Sequence, residues 1–446
     1  MTLRFGTDGV RGVANVDLTP ELVVALGRAA ARVLGGDRFV VGRDTRVSGP
    51  FLEAALAAGL AAEGVAVVSL GVVPTPVVAH AAAAGGVAGA MISASHNPFT
   101  DNGIKLFAPG GRKLTDDVEE RLEAVLDTVV HGEPTAAPVL GSDVGALMVE
   151  PEHMLAYADA VIASIEGRDL AGLRVVIDCA NGSATTIAPY VLRRLGVDLT
   201  VLHAGPDGTN INDGCGSTDP ADLQRVVVEK GADVGLAFDG DADRVLAVDA
   251  GGELVDGDQV IAICAVDRHE RGALRGDRVA VTVMSNLGFR IAMRENGIDV
   301  IETAVGDRYV LDALDAGDLS LGGEQSGHVI FRNIATTGDG LLTGVQLLDV
   351  VKRSNRALAD LATVMTRLPQ VLRNVTVATK GLDVEPLIGA ELAAARAELG
   401  ATGRVLVRPS GTEPLVRVMV EAPTAEQAKA VADRLAAAVA AVAPRG

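Results

Sequence analysis

One pattern recurs three times along the 446 residues and limits the fold more than any other feature. FVVGRDTRVSGPFLEAALAAGLAAEGVAVVSLG starts at Phe39, VVIDCANGSATTIAPYVLRRLGVDLTVLHAG at Val175 and VAVTVMSNLGFRIAMRENGIDVIETAVG at Val279. Each reads as a β-branched strand, a polar turn rich in Gly, Ser or Asn, an amphipathic helix, a glycine stop and a second strand. Gly64, Gly196 and Gly297 fall at the same helix-ending place, where a left-handed cap favours glycine. Such repeats demand sheets covered by helices, so the chain is expected to be α/β with three related units. Ligands bind at the carboxyl edges of such sheets, which makes the strand-to-helix loops the first candidates for a site.

The remaining segments divide the chain. RKLTDDVEERLEAVLDTVV (112–130) reads as a charged helix, and HGEPTAAPVLGSDVG after it as a linker. Further boundaries are expected near GGELVDGD (251–258) and RLPQV (367–371). Beyond Leu372 come strand-like NVTVAT, an Ala/Glu helix, the strands VLVRPSGT and VRVMVEA, and an amphipathic helix from Ala425, which together suggest a small α+β module.

Composition narrows the function. Hydrophobic residues make up 48% and aromatics only 2%, so the core is Ala, Val and Leu, as suits helices on parallel strands. The net charge of −19 argues against nucleic acid or an anionic membrane as partner, since both select a basic face. Residues 64–95 carry no charge, but Gly71, Pro74, Pro76, Gly85 and Gly86 cut them into pieces too short for a span; two buried strands around a helix are expected there. Cys179, Cys215 and Cys264 are few, odd in number and far apart, which fits reduced thiols in a cytoplasmic protein.

DVGLAFDGDADRVLAVD (233–249) carries the strongest chemical signal. Asp239, Asp241 and Asp243 alternate in a turn between apolar strands, and three such carboxylates repel one another unless a cation neutralises them. Their hard oxygens suit Mg²⁺ or Ca²⁺; an EF-hand loop would need Gly and Glu where Arg244 and Ala250 stand. RVLVRPSGTEPLVRV (404–418) places Arg408, Ser410, Gly411, Thr412 and Arg417 around a turn that can cradle an anion. LGGEQSGHVIF (321–331) alternates Glu324, Ser326 and His328, which would share one face if extended and suit a polyhydroxyl ligand. Arg11, Arg43 and Arg46 sit in Gly-rich turns, either as site residues or as partners of Asp8 and Asp44. In MISASHNPFTDNGIKLF (91–107) a polar turn follows a buried run, and Ser95 and His96, as neighbours on an extended chain, should face opposite ways. Ser95 lacks a Walker loop or a built-in base, but it can carry a phosphoryl group if a metal and the charges of Lys105 and Arg244 hold that group.

At these residues the sequence resembles the α-D-phosphohexomutase family over nearly its whole length. SASHNP, DGDADR, GEQSGH and RPSGTEP stand in the family's order as its serine, metal, sugar and phosphate loops. The resemblance implies three related α/β domains with mixed sheets (1–150, 151–254, 255–368) and a smaller C-terminal α+β domain (369–446) around a central cleft. It implies Ser95 as a phosphoserine that helps Asp239, Asp241 and Asp243 coordinate Mg²⁺. Glu324 and Ser326 would grip sugar hydroxyls, and Arg408, Ser410, Gly411, Thr412 and Arg417 the phosphate not being transferred. Arg11, His96, Lys105 and Arg244 would surround the reacting group, with Lys105 or His328 as proton carrier. GEQSGH with Gln325, the FGTDG-R-G opening and VGDRYV (305–310) look like the glucosamine branch, in which glucosamine 6-phosphate becomes glucosamine 1-phosphate through glucosamine 1,6-bisphosphate for cell-wall precursor synthesis. Many relatives have a histidine-containing segment where Asp307 and Arg308 stand, so no histidine role carries over there. The alternatives are a broad-specificity phosphomannomutase/phosphoglucomutase and a non-catalytic sugar-phosphate-binding protein. A homodimer is an assembly the sequence leaves open.

Overall fold

The computed structural model describes residues 9–132, 137–410 and 414–443. The chain divides into two compact units, Met1–Met284 with Gly297–Val364, and Ser285–Asn296 with Met365–Gly446.

The three copies form the expected parallel strand pairs: Arg38–Arg43 with Ala66–Val72, Arg174–Asp178 with Asp198–Leu202, and Arg278–Thr282 with Asp299–Thr303. The repeat is longer than the sequence pattern. In each copy a second helix (Thr75–Gly85, Ala221–Lys230, Asp307–Gly317) leads to a third strand, and a tight turn returns an antiparallel fourth. The third strands are Ala88–Ile92, Val234–Phe238 and Leu321–Gly323; the fourth are Asp101–Ala108, Val245–Asp249 and Val329–Phe331. Each sheet therefore runs fourth, third, first, second. The mixed character of the sheets comes from that last hairpin. The first sheet gains Val10–Val13 on its fourth strand and Leu147–Val149 on its second, so part of the chain beyond the expected linker is sheet.

Burial follows from the pattern. Ala88–Ile92 and Val234–Phe238 are buried at every residue, as strands covered on both faces must be. Residues 64–95 form two strands around the helix Thr75–Gly85; Ala88–Ile92 is buried throughout, whereas Ala66–Val72 is only partly buried and ends on exposed Val72. Among the described residues no helix is long and apolar enough to cross a membrane. All three cysteines are free and buried.

The second unit holds an antiparallel sheet with Leu415–Glu421 between Gln370–Thr376 and Arg404–Pro409. Val405, Val407, Val416, Val418 and Val420 pack against Val431, Leu435 and Val439 of the helix Ala425–Val442. The third copy's first helix, Leu287–Glu295, packs in this unit rather than with its own strands. Glu421 explains the departure. It is fully buried, accepts from the Leu287 backbone N–H at 2.9 Å and pairs with Arg404 at 3.0 Å, so the start of that helix is fastened to the C-terminal sheet.

Asp339 caps the helix Gly340–Ser354 by accepting from the Leu342 N–H at 2.9 Å, and Tyr157 donates to both its oxygens at 2.8 and 2.9 Å. Burial pushes its carboxyl from the ordinary 3.8 up to about 6, against the pull of those hydrogen bonds. A carboxyl raised on folding favours the native state below its unfolded value and loses that contribution as pH rises through its folded value. Asp339→Asn keeps an oxygen for the cap and the tyrosine but carries no charge. Its melting temperature should therefore gain on the parent between about pH 4 and pH 6 and hold that gap above, on the order of 3 kcal/mol. Thermal melts across that range check this; a gap independent of pH would exclude a raised Asp339.

Candidate functional site

Three of the four signature motifs occupy the same place in the three repeats. SASHNP, DGDADR and GEQSGH each form the turn from the third strand to the fourth. The expectation that strand-to-helix loops carry the site is corrected by this. A hairpin turn at the carboxyl end of a parallel strand brings polar residues to the same edge with less chain, and in the first two copies the strand-to-helix loops stand behind it.

Ser95 is held in a left-handed conformation with φ 53°, which costs a non-glycine residue about 1–2 kcal/mol. Three hydrogen bonds closed into a ring by an ion pair maintain it. The Ser95 N–H donates to Ser93 Oγ at 2.9 Å, Ser93 Oγ donates to Asp44 Oδ2 at 2.6 Å, Asp44 Oδ2 lies 3.0 Å from Arg46 Nε, and Arg46 Nη2 donates to the Ser95 carbonyl at 2.9 Å. Burial lifts the Asp44 carboxyl to about 6 against the pull of Arg46. Asn212, from the second repeat, donates to the same carbonyl at 2.9 Å. Gly240 must be glycine because a Cβ there would lie 2.6 Å from that oxygen. Arg46 is thus the partner of Asp44, while Arg43 pairs with Glu53 at 2.7 Å; Asp8 lies outside the described residues.

The left-handed turn overturns the expected separation of Ser95 from His96. Ser95 Oγ lies 3.3 Å from His96 Nδ1 and donates to Asp239 Oδ2 at 2.6 Å. Burial, then Arg244 and Arg11, lowers the His96 pKa and keeps the ring neutral.

Asp239, Asp241 and Asp243 are all buried, and one oxygen of each lies within 4.8 Å of the others. Burial and then the neighbouring carboxylates hold the Asp239 carboxyl well above its usual range. Burial also pushes Asp243 up, but Lys105, His328 and Arg244 outweigh it and hold Asp243 well below. Lys105 Nζ bonds Asp241 at 2.7 Å and Asp243 at 3.0 Å, and Thr75 Oγ1 donates to Asp241 at 2.6 Å. The Oδ1 atoms of Asp241 and Asp243 remain buried with no hydrogen-bond partner. Buried anionic oxygens without partners are what a hard cation satisfies, so this triad could bind a metal.

The sugar-loop turn corrects a second expectation. It is folded back by Gly327 N–H donating to the Glu324 carbonyl at 3.0 Å, with Gly327 at φ 91°, so alternate residues do not share a face. Ser326 is exposed beside Glu324, to which its Oγ donates at 3.4 Å, while His328 is buried. His328 lies between Asp243 Oδ2 at 3.7 Å and Asp307 Oδ2 at 3.5 Å. Burial works against its charged form, but Asp243, Asp307 and Glu324 prevail and raise its pKa. The VGDRYV segment is a clasp: Asp307 bonds Lys113, and Arg308 bonds Glu119 at 3.0 Å and Asp116 at 2.8 Å. The Gly306 N–H donates to Glu324 Oε1 at 3.2 Å, which links the clasp to the sugar loop.

In the second unit Arg408 and Arg417 stand directly opposite each other on adjacent strands. Burial and then Arg417 lower the Arg408 pKa. Paired like charges on a sheet are unfavourable alone and suited to an anion. Ser410 is buried beside them in sequence; Gly411 and Thr412 lie outside the described residues.

The residues missed by sequence reasoning are Thr75 and Asn212. Each reaches its partner across more than a hundred positions and lies in no charged motif.

Four family descriptions match the chain in order: Phosphoglucomutase/phosphomannomutase, alpha/beta/alpha domain I at 2–131, domain II at 155–252, domain III at 256–368 and the C-terminal domain at 358–438. The chain belongs to the phosphoglucomutase/phosphomannomutase family. Among its relatives, a phosphoglucosamine mutase of Frankia alni is 56% identical, with 100% of this chain and 99% of the relative covered. One from Thermobifida fusca is 54% identical, with 98% of each covered. A phosphoglucomutase/phosphomannomutase family protein from Burkholderia thailandensis has a similar structure, with TM-score 0.80, 27% identity and coverage of 98% and 97%. The Aspergillus fumigatus N-acetylphosphoglucosamine mutase, solved in complex with GlcNAc-6P and magnesium, shares the fold at TM-score 0.71 and 19% identity, with coverage of 100% and 96%.

Asn212 has φ 57°, so Asn212→Gly keeps the backbone and removes the struts to the Ser95 and Asn97 carbonyls of the serine loop. Turnover should fall about tenfold with KM little changed, as expected when these hydrogen bonds stop positioning a reacting group. Steady-state kinetics decide it; unchanged kcat would leave Asn212 no positioning role.

Proposed function

We propose that the protein is a phosphoglucosamine mutase that interconverts glucosamine 6-phosphate and glucosamine 1-phosphate in the cytoplasm, through phosphorylated Ser95 and a 1,6-bisphosphate. The observation that carries this is the 2.6 Å bond from Ser95 Oγ to a carboxylate of the buried triad, which puts a nucleophile where a phosphoryl group can be held. The relatives named phosphoglucosamine mutase support the amino-sugar substrate, and a supply of amino-sugar 1-phosphate for cell-wall precursors is part of this proposal.

Asp239, Asp241 and Asp243 would hold Mg²⁺, joined by the Ser95 phosphate. When bound, the ion would neutralise phosphate oxygens as charge moves between serine and sugar. The chain's own residues do the rest. The O–P bond of phosphoserine breaks as the sugar O1 attacks phosphorus and forms a new O–P bond; Lys105 or His328 gives its proton to the departing Ser95 Oγ and regains one from O1. Arg11 and Arg244 supply positive charge around the moving group. Glu324 and Ser326 receive the sugar hydroxyls, which fixes which oxygen faces phosphorus. Arg408, Ser410, Gly411, Thr412 and Arg417 bind the sugar phosphate that is not transferred. In the return step Ser95 Oγ attacks the other phosphate of the bisphosphate, neutral His96, 3.3 Å away, takes its hydroxyl proton, and the departing sugar oxygen takes a proton from Lys105 or His328, which solvent restores as His96 releases its own.

Ser95→Ala should abolish turnover while sugar phosphate still binds, measured by phosphorus NMR and calorimetry; full residual activity would sink the phosphoserine reading. Asp241→Asn should lose Mg²⁺-dependent activity, about a hundredfold or more, with an unchanged circular dichroism spectrum. Activity unaffected by chelator would remove the metal from the assignment. Side-by-side phosphorus NMR of the 6-phosphates of glucosamine, glucose and mannose, each with a trace of sugar bisphosphate, tests the substrate. Equal conversion of all three would replace the proposal by the broad-specificity alternative.

A further inference from the structure

A second cluster of metal-binding side chains lies outside the aspartate triad. Asp178 ends the strand Arg174–Asp178, His203 follows the strand Asp198–Leu202, and Cys215 precedes the turn at Gly216. One donor atom of each lies within 4.8 Å of the others. Their spacing in the chain matches no metal motif; only the fold assembles them.

The geometry around His203 distinguishes this cluster from an ordinary histidine–aspartate hydrogen bond. His203 Nδ1 lies 2.9 Å from Asp178 Oδ2, yet this buried nitrogen makes no hydrogen bond, so no N–H points along the contact. On the other side of the ring, Nε2 faces Asp222 Oδ2 at 3.4 Å. With its proton on Nε2, on the side of Asp222, the ring keeps a lone pair on Nδ1 that lies beside Asp178 and Cys215 but off the line to Asp178 Oδ2, as it would if both faced one shared ion. An imidazole backed by a carboxylate, with its other nitrogen bare among donors, is the usual arrangement of a metal-bound histidine. Asp178 is held in place by the Ala180 and Gly216 N–H groups, which donate to Oδ1 at 2.8 Å and Oδ2 at 2.9 Å. Cys215 is fully buried.

We propose that Asp178, His203 and Cys215 bind a divalent cation of intermediate softness, with Zn²⁺ the best fit. A thiolate, an imidazole and a carboxylate make a donor set for such a metal, with water in the fourth position, whereas the all-oxygen triad suits Mg²⁺. Binding releases the Cys215 thiol proton to solvent and keeps the His203 proton on Nε2. The site's role follows from its neighbours. The Asn181 carbonyl accepts from Thr45 Oγ1 at 2.6 Å, and Asn212 holds the Ser95 carbonyl. A cation here ties together the segments that carry both braces, so it stiffens the support of the Ser95 loop without touching the sugar.

The test uses Co²⁺ as a spectroscopic probe on the full chain, stripped with chelator and dialysed. With excess Mg²⁺ present to hold the aspartate triad, the expected result is a near-ultraviolet thiolate-to-cobalt band and intense tetrahedral visible bands that saturate at one equivalent of Co²⁺ per chain. Zn²⁺ should displace it and excess Mg²⁺ should not. Cys215→Ser should abolish the thiolate band, and Asp222→Asn should weaken Co²⁺ binding about 10–100-fold. His203→Asn, chosen because asparagine tolerates the left-handed φ of 45° at that position, should lose the site while remaining folded by circular dichroism. Asp241→Asn should leave the band unchanged, so the readout is independent of the mutase reaction. Absence of the band in folded parent protein at saturating Co²⁺, or its persistence in Cys215→Ser, overturns the proposal.

Discussion

Three carboxylates buried in one hairpin turn set the terms for the rest of the site. Without compensation Asp239, Asp241 and Asp243 would be driven to protonate or to open the turn, because burial and mutual repulsion act in the same direction. The compensating groups come from different elements. Thr75 starts a helix, Ser95 sits in a hairpin turn, Lys105 lies in the fourth strand of the first sheet, and His328 lies in the sugar-loop turn. Each bonds or faces an aspartate, so the triad gathers all three repeats around one point. The oxygens still without partners, on Asp241 and Asp243, are the ones a cation would satisfy.

The repeat gives this gathering its economy. The hairpin between third and fourth strands is used three times, for the Ser95 turn, the acidic triad and the GEQSGH turn. Since the hairpins occupy equivalent places, one topology delivers three chemistries that differ only in turn residues. The left-handed backbone at Ser95 is the strained element, and its closed ring through Ser93, Asp44 and Arg46 maintains it. A buried arginine bonded to a backbone carbonyl and a carboxylate at once is costly to disturb, because removing either partner leaves the other charge or dipole unpaired.

Much of this was legible from residues alone. Strand and helix order in the three copies, the α+β tail, the strand–helix–strand of residues 64–95 and the acidic turn all follow from local pattern, where periodicity and turn chemistry act over a few residues. The pairing of Arg46 with Asp44 was also within reach, since the two are near neighbours. Two of the errors share a cause. Ser95 and His96 were expected to diverge, and Glu324, Ser326 and His328 to share a face, because both expectations assumed extended backbone. A left-handed residue and a folded turn, each held by tertiary contacts, change side-chain direction without changing sequence pattern.

The sequence by itself determined the class of chemistry: a serine turn, a carboxylate triad, a Glu–Gln–Ser turn and an arginine-rich turn, on repeats that can only be α/β. Local residue type and spacing suffice for that, since they decide which elements form and which side chains a loop carries. Tertiary structure alone decided which atoms meet. Asn212 reaching Ser95, Thr75 reaching Asp241, the clasp of Arg308 on Glu119, the docking of Leu287 on Glu421, and the convergence of Asp178, His203 and Cys215 all join residues far apart in the chain. Such contacts depend on how sheets and helices stack, and no short-range pattern encodes that stacking.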